Sequence, residues 1–181
     1  EFRPNDKILV ISQTGKLKVV IPELATHFDE DMVVLEKWHP KKPISAIYYD
    51  GEKERYYVKR FLIEIEGKEE SLITEHPKSQ LEIVSTDYRP MAELVFTKVK
   101  GVQKENQTVD IESFIAVKGF KALGNQLTTE KLKQVNLLEP LPYEEPEEVV
   151  PEELEVQGNT EVGSENDENI QLDEDGQITM F

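Results

Sequence analysis

Lysine and arginine recur along the chain in groups, and the chemistry that such groups support is phosphate binding. Each group lies in or near a predicted hairpin, and the members are Lys16, Lys18, Lys53, Arg55, Lys59, Arg60, Lys98, Lys100, Lys118, Lys121, Lys131 and Lys133. Residues two apart in a strand point to the same face. The pairs with this spacing are Lys16 with Lys18, Lys98 with Lys100, and Lys131 with Lys133. They predict a basic surface that contacts the phosphate backbone of duplex DNA with little base readout.

The structural alternative is that these side chains only solubilise outer strands and protect sheet edges from pairing. The spacing alone does not separate the two interpretations.

Catalytic motifs do not stand out in the sequence. The three histidines, His27, His39 and His76, lie far apart and have no neighbouring His or Cys, so no metal site is predicted. The phosphate-binding loop G-x-x-x-x-G-K-[ST] and the nucleophile context G-x-S-x-G are both missing. We therefore assign no catalytic residue and expect a binding module; an enzyme with an unrecognised site is the weakest alternative.

Charge is distributed unevenly over the 181 residues. Residues 1–140 contain all 21 basic residues and 23 acidic ones, whereas residues 141–181 contain 14 acidic residues and no basic one. The second segment is rich in Glu, Pro, Asn and Gly and has no apolar period, which predicts a disordered acidic tail. We expect this tail to compete with DNA for the basic surface of a folded domain formed by residues 1–140.

The chain contains no cysteine and no apolar run of the roughly 20 residues that span a bilayer. These features are typical of a cytoplasmic protein without a membrane partner. The first residue is Glu1 rather than Met, and the start does not resemble a signal peptide. The chain is therefore expected to be a fragment of a longer protein.

Four segments in the first 140 residues have the pattern of a β-hairpin, with two apolar runs around a turn. They are residues 7–21, 44–61, 81–96 and 114–127, centred on Gln13-Thr14-Gly15, Asp50-Gly51, Asp87 to Pro90 and Lys118-Gly119. Their starts are 37, 37 and 33 residues apart. A period in this range predicts an all-β, propeller-like array of about three to four blades.

Further strands are predicted between the hairpins, which would give about four strands per blade. They are residues 32–38, 61–67 and 108–114. A helix over residues 122–138 is a weaker alternative, because Gly124 and the Thr128-Thr129 pair disfavour it.

The sequence "LVISQTGKLKVV" resembles the blade motif in the C-terminal domain of the A subunits of bacterial type IIA DNA topoisomerases, with Ser12, Gly15 and Lys18 at the motif positions. The segment "FIAVKGFKALGNQLTTEKLKQVNLLEPLPYEEPEE" resembles the end of the topoisomerase IV A subunits of the Bacteroidetes type. The gyrase box "QRRGGKG" is missing, which favours topoisomerase IV over gyrase. The resemblance covers essentially the whole chain, including the tail.

The resemblance implies a β-pinwheel, a disc of four-stranded blades that binds and bends duplex DNA for strand passage during decatenation and supercoil relaxation. It also implies a nucleoid-associated location and, through upstream domains, an A-subunit dimer and a B subunit that uses ATP and Mg. No cofactor is implied for this chain. The cleaving tyrosine of the family lies in an Arg-Tyr-Thr context, and Arg55-Tyr56 here lacks the Thr. The alternative function is a propeller-like protein-interaction module without DNA binding.

The end of the tail, "GQITMF", resembles a peptide motif that binds the replication sliding clamp. The motif has the order Gln, Leu, Ser or Asp, Leu, Phe. The residues in question are Gln177, Ile178, Met180 and Phe181, with Thr179 between them. Apolar side chains at the end could fill a pocket while Gln177 sets the register by hydrogen bonds. The sequence therefore predicts the sliding clamp as a second partner.

Overall fold

The computed structural model of the chain describes residues 6–21, 30–64 and 67–144. Within these ranges the secondary structure is almost entirely β, which confirms the predicted all-β class. The elements in chain order are β1 (Ile8–Ser12), β2 (Lys16–Val20), β3 (Met32–Lys37), β4 (Ile44–Asp50), β5 (Arg55–Phe61), β6 (Glu70–Ser71), β7 (Gln80–Ser85), β8 (Met91–Phe96), β9 (Gln107–Asp110), α1 (Ile111–Phe114), β10 (Asn125–Thr128) and β11 (Leu132–Leu138).

The strands form three antiparallel sheets, none of which closes on itself. Sheet A has the strand order β3-β1-β2-β6, sheet B has β10-β5-β4-β7, and sheet C has β11-β8-β9. Each sheet is built on one hairpin, with a third strand beside the first strand of that hairpin. We use the name turn end for the end of each sheet at which its hairpin turn lies.

The fourth strand of a sheet comes from the following repeat. Strand β6 completes sheet A although it follows the β4–β5 hairpin, and β10 completes sheet B although it follows the β8–β9 hairpin. Sheet C has three strands among the described residues. Sheets A and B are thus each connected to the following repeat through one exchanged strand, which is β6 for sheet A and β10 for sheet B.

Sheet B is covered on both faces, which explains why its central strands are buried almost throughout. One apolar cluster joins residues of sheet A, such as Ile11 and Leu17, to Ala46 and Tyr48 of sheet B. A second cluster joins Ile47 and Val58 of sheet B to residues of sheet C, which include Leu94 and Phe96. The β4 and β5 sequences, "ISAIYYD" and "RYYVKRF", therefore lack the apolar and polar alternation of a half-exposed strand.

Two of the four predicted hairpins are confirmed. Strands β1 and β2 pair around Gly15, and β4 pairs with β5 with Asp50 opposite Arg55. Strand β3 confirms the strand predicted at residues 32–38. The unfavoured helix over 122–138 is not formed, since β10 and β11 occupy most of that range.

The hairpin predicted at residues 81–96 is wrong. Strand β7 pairs with β4 in sheet B, whereas β8 pairs with β9 and β11 in sheet C. The intervening segment is bound locally, since Ser85 Oγ donates to Asp87 Oδ2 at 2.7 Å and Arg60 Nη2 donates to the carbonyl oxygen of Tyr88 at 2.7 Å. It crosses from one sheet to the next instead of reversing within one.

The hairpin predicted at residues 114–127 is also wrong. Asp110 caps the single turn α1, whose Ile111 is buried, and the chain then runs irregularly to Asn125. The side chain of Phe120 is buried in the cluster between sheets A and B and meets the ring of Phe61 edge-on at 5.1 Å. The segment around Phe120 is therefore held by burial of this side chain in the core and not by the pairing of two strands.

The two remaining strand predictions agree with the structure only in part. Residues 62–64 are irregular after the end of β5, and residues 65–66 lie outside the described ranges. Of residues 108–114, the first part belongs to β9 and the rest to α1. Closure of the sheets into a disc stays a prediction, as does the state of the acidic tail, of which only residues 141–144 are described.

Candidate nucleic-acid interface

The first hairpin turn places two lysines on one face of sheet A. Gly15 has a φ of 80°, a conformation that favours glycine, and the amide N–H of Lys16 donates to Ser12 Oγ at 3.2 Å. In β2 the side chain of Leu17 is buried, while Lys16 is exposed and Lys18 is half-buried. The shared face predicted for this lysine pair is therefore confirmed.

The second hairpin turn is built on a buried carboxylate. Asp50 is fully buried, and its Oδ1 accepts hydrogen bonds from the amide N–H groups of Glu52 at 2.9 Å and Lys53 at 3.1 Å. This side-chain turn fixes the backbone that carries Lys53 and Arg55, which are both exposed. The Asp-Gly signal revealed the turn, but the sequence did not reveal that its aspartate would be fully buried.

Strands β8 and β9 form the third observed hairpin, and we call residues 97–106, which connect the two strands beyond sheet C, the ribbon. In the sheet, Leu94 lies opposite Gln107, and in the same register Val99 lies opposite Val102 at the turn. Lys98 and Lys100 are exposed on this ribbon. Lys100 has a φ of 49° and lies in the turn, so the prediction that it shares a strand face with Lys98 is wrong.

The turn ends of sheets A and B are linked through residues 70–80. Strand β6 pairs with Lys16 through Ser71, and the amide N–H of Leu72 donates to the carbonyl oxygen of Gly15 at 2.7 Å. Eight residues later, Ser79 Oγ accepts a hydrogen bond from the amide N–H of Gly51 at 3.0 Å. One short segment therefore contacts both hairpin turns.

The turn ends of sheets B and C are linked in the same way. Thr128, at the end of β10, lies opposite Tyr56 of sheet B. Leu132, four residues on, lies opposite Phe96 of sheet C, and its carbonyl oxygen accepts a hydrogen bond from Tyr56 Oη at 3.4 Å. A step of four residues spans at most about 14 Å. The turn ends of sheets B and C therefore lie close together.

We call the surface formed by these turns and links the basic turn surface. Its exposed or half-buried cations are Lys16, Lys18, Lys53, Arg55, Lys78, Lys98, Lys100, Lys104, Lys131 and Lys133. Lys78 and Lys104 were not among the residues assigned to DNA, although Lys78 lies in the link between sheets A and B and Lys104 lies on the same ribbon as Lys98. The last strand adds Lys131 and Lys133, which are exposed, and a register shift between Leu132 and Gln134 interrupts the regular alternation there.

Two of the predicted DNA-contacting residues lie in the interior instead. Lys59 and Arg60 are each 6% exposed. Lys59 Nζ donates to the carbonyl oxygens of Leu72 at 3.1 Å and Phe120 at 2.8 Å, and burial lowers its pKa to about 8. Burial likewise lowers the pKa of Arg60. Because sheet B is covered on both faces, these two cations are enclosed between the sheets and do not belong to the basic turn surface.

The remaining two predicted residues, Lys118 and Lys121, are exposed but lie in the irregular segment before β10. Lys118 Nζ donates to Asn125 Oδ1 at 2.7 Å, and its backbone bridges to Phe61 at the end of sheet B opposite the turn. Lys121 borders a cleft that also contains Glu70 and Glu75. Neither residue extends a strand pattern from the three hairpins.

Acidic side chains are interleaved with the basic ones on this surface. Glu52 and Glu54 flank Lys53, and Lys104 Nζ forms an ion pair with Glu130. A cleft beside Lys16 and Lys18 also contains Asp31 and Glu69. Such mixing weakens the local positive potential, so the surface is suited to modest rather than tight phosphate binding.

The predicted clamp-binding residues, Gln177, Ile178, Met180 and Phe181, lie outside the described residues. No helix in the described ranges is long and apolar enough to cross a membrane.

Comparison with known proteins gives one positive result. No curated protein and no solved structure matches the chain. The family model described as the topoisomerase C-terminal domain of Bacteroidota matches residues 1–139, which is most of the chain and includes every strand of the three sheets. The chain therefore belongs to the Bacteroidota family of topoisomerase C-terminal domains.

Proposed function

We propose that this domain is a DNA-binding and DNA-bending accessory region of a topoisomerase IV A subunit. It binds a duplex segment through phosphate contacts and holds it for strand passage, while catalysis and ATP hydrolysis belong to other domains of the enzyme. Membership of a topoisomerase C-terminal family supports the general role.

The observation that carries the proposal is the common position of the basic hairpin turns. Three hairpins from three repeats have exposed cations at their turns, and residues 70–80 and 128–132 link these turns at one side of the array. Lysines that only solubilise strands have no reason to concentrate at linked turns. A duplex carries one charge per ~1.7 Å of its axis, so cations spaced along several sheets can contact successive phosphates.

The acidic residues interleaved on the basic turn surface weaken its attraction for DNA, so we expect low affinity. Binding should be weak and independent of sequence, because the cations are on flexible side chains and their counterparts are phosphates. A bent duplex would contact more of the linked turns than a straight one, at a bending cost of order 1–6 kcal/mol. Bending therefore becomes favourable only when several turns engage together.

The proposal is tested by titrating the full 181-residue chain with a labelled random-sequence duplex in fluorescence anisotropy. If about four phosphates are neutralised, the logarithm of the affinity should fall with the logarithm of the salt concentration at a slope of about −3.6. Two unrelated duplex sequences should give the same affinity. Absence of saturable binding at low salt would overturn the proposal and leave protein interaction as the alternative function.

A further inference from the structure

The tip of the β8–β9 ribbon exposes two valines to solvent. Val102 is 72% exposed and Val99 is 64% exposed, which makes them the two most exposed large apolar side chains of the described residues. Removing apolar surface from water is favourable, so a partner that covers this pair would gain binding energy. Single exposed apolar residues are common, but an adjacent pair at a protruding tip indicates an interaction.

The geometry of the tip is that of a rigid two-residue turn. The amide N–H of Val99 donates to the carbonyl oxygen of Val102 at 3.1 Å, and the reverse bond measures 2.9 Å. Lys100 and Gly101 between them have φ values of 49° and 82°, as a type I′ turn requires. In such a hydrogen-bonded pair the two side chains lie next to each other on one face of the ribbon.

The ribbon holds this tip away from the sheet. The Val99 pair lies three residues beyond Phe96, the last residue of β8 to pair within sheet C, and the stretches 97–98 and 103–106 between the sheet and the tip are irregular. Gln103 Nε2 donates to the carbonyl oxygen of Phe96 at 3.0 Å, and Lys104 is paired with Glu130. These contacts anchor the base of the ribbon while residues 97–102 are all exposed.

Two cations flank Val99 at the apolar tip. Lys98 and Lys100 adjoin Val99, whereas Lys104 lies at the base of the ribbon, where it is paired with Glu130. Among the described residues, no ion pair is formed by Lys98 or Lys100. An apolar pair beside two such cations matches a partner whose own surface is anionic but which has an apolar interior within reach of a narrow tip.

We propose that Val99 and Val102 form a wedge that enters the minor groove of the bound duplex and partly unstacks one base step. Lys98 and Lys100 would contact the phosphates on either side of the groove. Apolar wedges on ribbons and helices kink DNA by about 20–90°. This inference rests on the proposed DNA binding, and it assigns the bending step to one hairpin among the three.

The test compares the 181-residue chain with its variant Val99→Thr/Val102→Thr. Threonine keeps the β-branched shape and strand preference but replaces a methyl group by a hydroxyl on each side chain. A second variant, Val99→Ile/Val102→Ile, keeps the wedge apolar. The control is Leu137→Thr/Leu138→Thr, an exposed apolar pair at the opposite end of sheet C.

Bending is measured by energy transfer between dyes at the ends of a duplex of about 30 base pairs, at protein concentrations that saturate binding in anisotropy. We expect the threonine variant to lose at least about half of the wild-type bend angle while its affinity changes by less than about fivefold. The isoleucine variant and the Leu137/Leu138 control should bend DNA as the wild type does.

The inference is overturned if the wild type and the threonine variant bend the duplex equally, even though both bind it. It is also overturned if the Leu137/Leu138 control loses the bend to the same extent, since the effect would then not belong to the tip. A wild-type chain that binds no duplex would instead contradict the proposed function itself. The two failures are therefore distinguishable by the binding signal alone.

Discussion

The amide N–H of Thr97 donates to the carbonyl oxygen of Lys131 at 2.9 Å, at the point where the third hairpin leaves its sheet. Lys131 lies between β10 of sheet B and β11 of sheet C, so this bond attaches the connection between the two sheets to the base of the ribbon. It places Lys131 beside Lys98 although the two residues are 33 positions apart in the sequence. Cations from different repeats are brought together by such links, and the account of DNA binding depends on them.

The buried amine of Lys59 should make stability depend on pH. Its folded pKa is about 8, below its ordinary value of 10.5, because burial disfavours the charged form. Between these two values the unfolded chain keeps a proton that the folded chain has released, so stability rises with pH. From pH 7 to pH 9.5 the wild type should gain about 2 kcal/mol of unfolding free energy relative to Lys59→Met.

This difference is measured by urea unfolding of both proteins at several pH values. All other ionisable groups are common to the two proteins, so the comparison isolates the contribution of Lys59. A difference that stays constant from pH 7 to pH 9.5 would show that Lys59 does not carry a lowered pKa.

Gly124 and Gly119 should respond very differently to substitution by alanine. Gly124 has a φ of 95°, and an added Cβ would lie 2.2 Å from the carbonyl oxygen of Val58. Gly124→Ala should therefore lower the unfolding free energy by about 2 kcal/mol or more. Gly119→Ala is the matched control, because its Cβ would meet no atom within 4 Å. Similar unfolding midpoints for both variants would contradict the close packing of residue 124 against β5.

The local features of the fold could be predicted from the sequence, and the exchanged strands could not. Asp50-Gly51 predicts a hairpin because the turn chemistry lies within four residues. Strands β7 and β8 are as close in sequence as the strands of a hairpin, yet they join different sheets. Strand β7 pairs with β4, and β8 pairs with β11 as well as with β9. Only the packing of whole sheets selects the distant pairings of β7 with β4 and of β8 with β11.

The candidate site shows the same division. The outward face of Lys16 and Lys18 follows from alternation in β2. The neighbouring cations Lys59 and Arg60 occupy opposite faces of a strand, and on a half-exposed sheet one of them would reach solvent. Both are buried because sheets A and C cover the two faces of sheet B. No feature of the local sequence indicates that sheet B is covered on both faces.

The acidic tail should weaken DNA binding. Twelve of its fourteen acidic residues lie in 146–181, and truncation after Glu145 retains Tyr143, whose ring stacks on Tyr88 with 4.2 Å between the centroids. Truncation after Glu145 should increase affinity for duplex DNA at low salt, since a tethered polyanion competes at high effective concentration. The gain should shrink as salt rises. Equal affinities at low salt would eliminate the competition model.

The last residues of the tail should bind the sliding clamp as an isolated peptide. A peptide covering Asp173 to Phe181 is titrated against the clamp of the same organism by calorimetry. We expect a dissociation constant of about 1 μM, near −8 kcal/mol. The control peptide carries Gln177→Ala and Phe181→Ala and should not bind. A constant weaker than about 1 mM for the natural peptide would rule out this partner.

The central claim, that the basic turn surface is the DNA-binding surface, is tested most directly by two variants of equal charge. One neutralises three cations of that surface as Lys53→Gln/Arg55→Gln/Lys98→Gln. The other neutralises three lysines outside it as Lys37→Gln/Lys42→Gln/Lys118→Gln. Lys37 lies opposite Ile8 at the far end of sheet A, and Lys118 bridges to the far end of sheet B.

Both variants are titrated with the same duplex over a range of salt concentrations. The account predicts that the turn variant loses about tenfold or more in affinity at low salt and that its salt slope becomes shallower by up to about 2.7, or 0.9 for each lost phosphate contact. The control variant should change affinity by less than about threefold and keep the wild-type slope. Equal losses in the two variants would contradict the account, because binding would then follow total charge and not the basic turn surface.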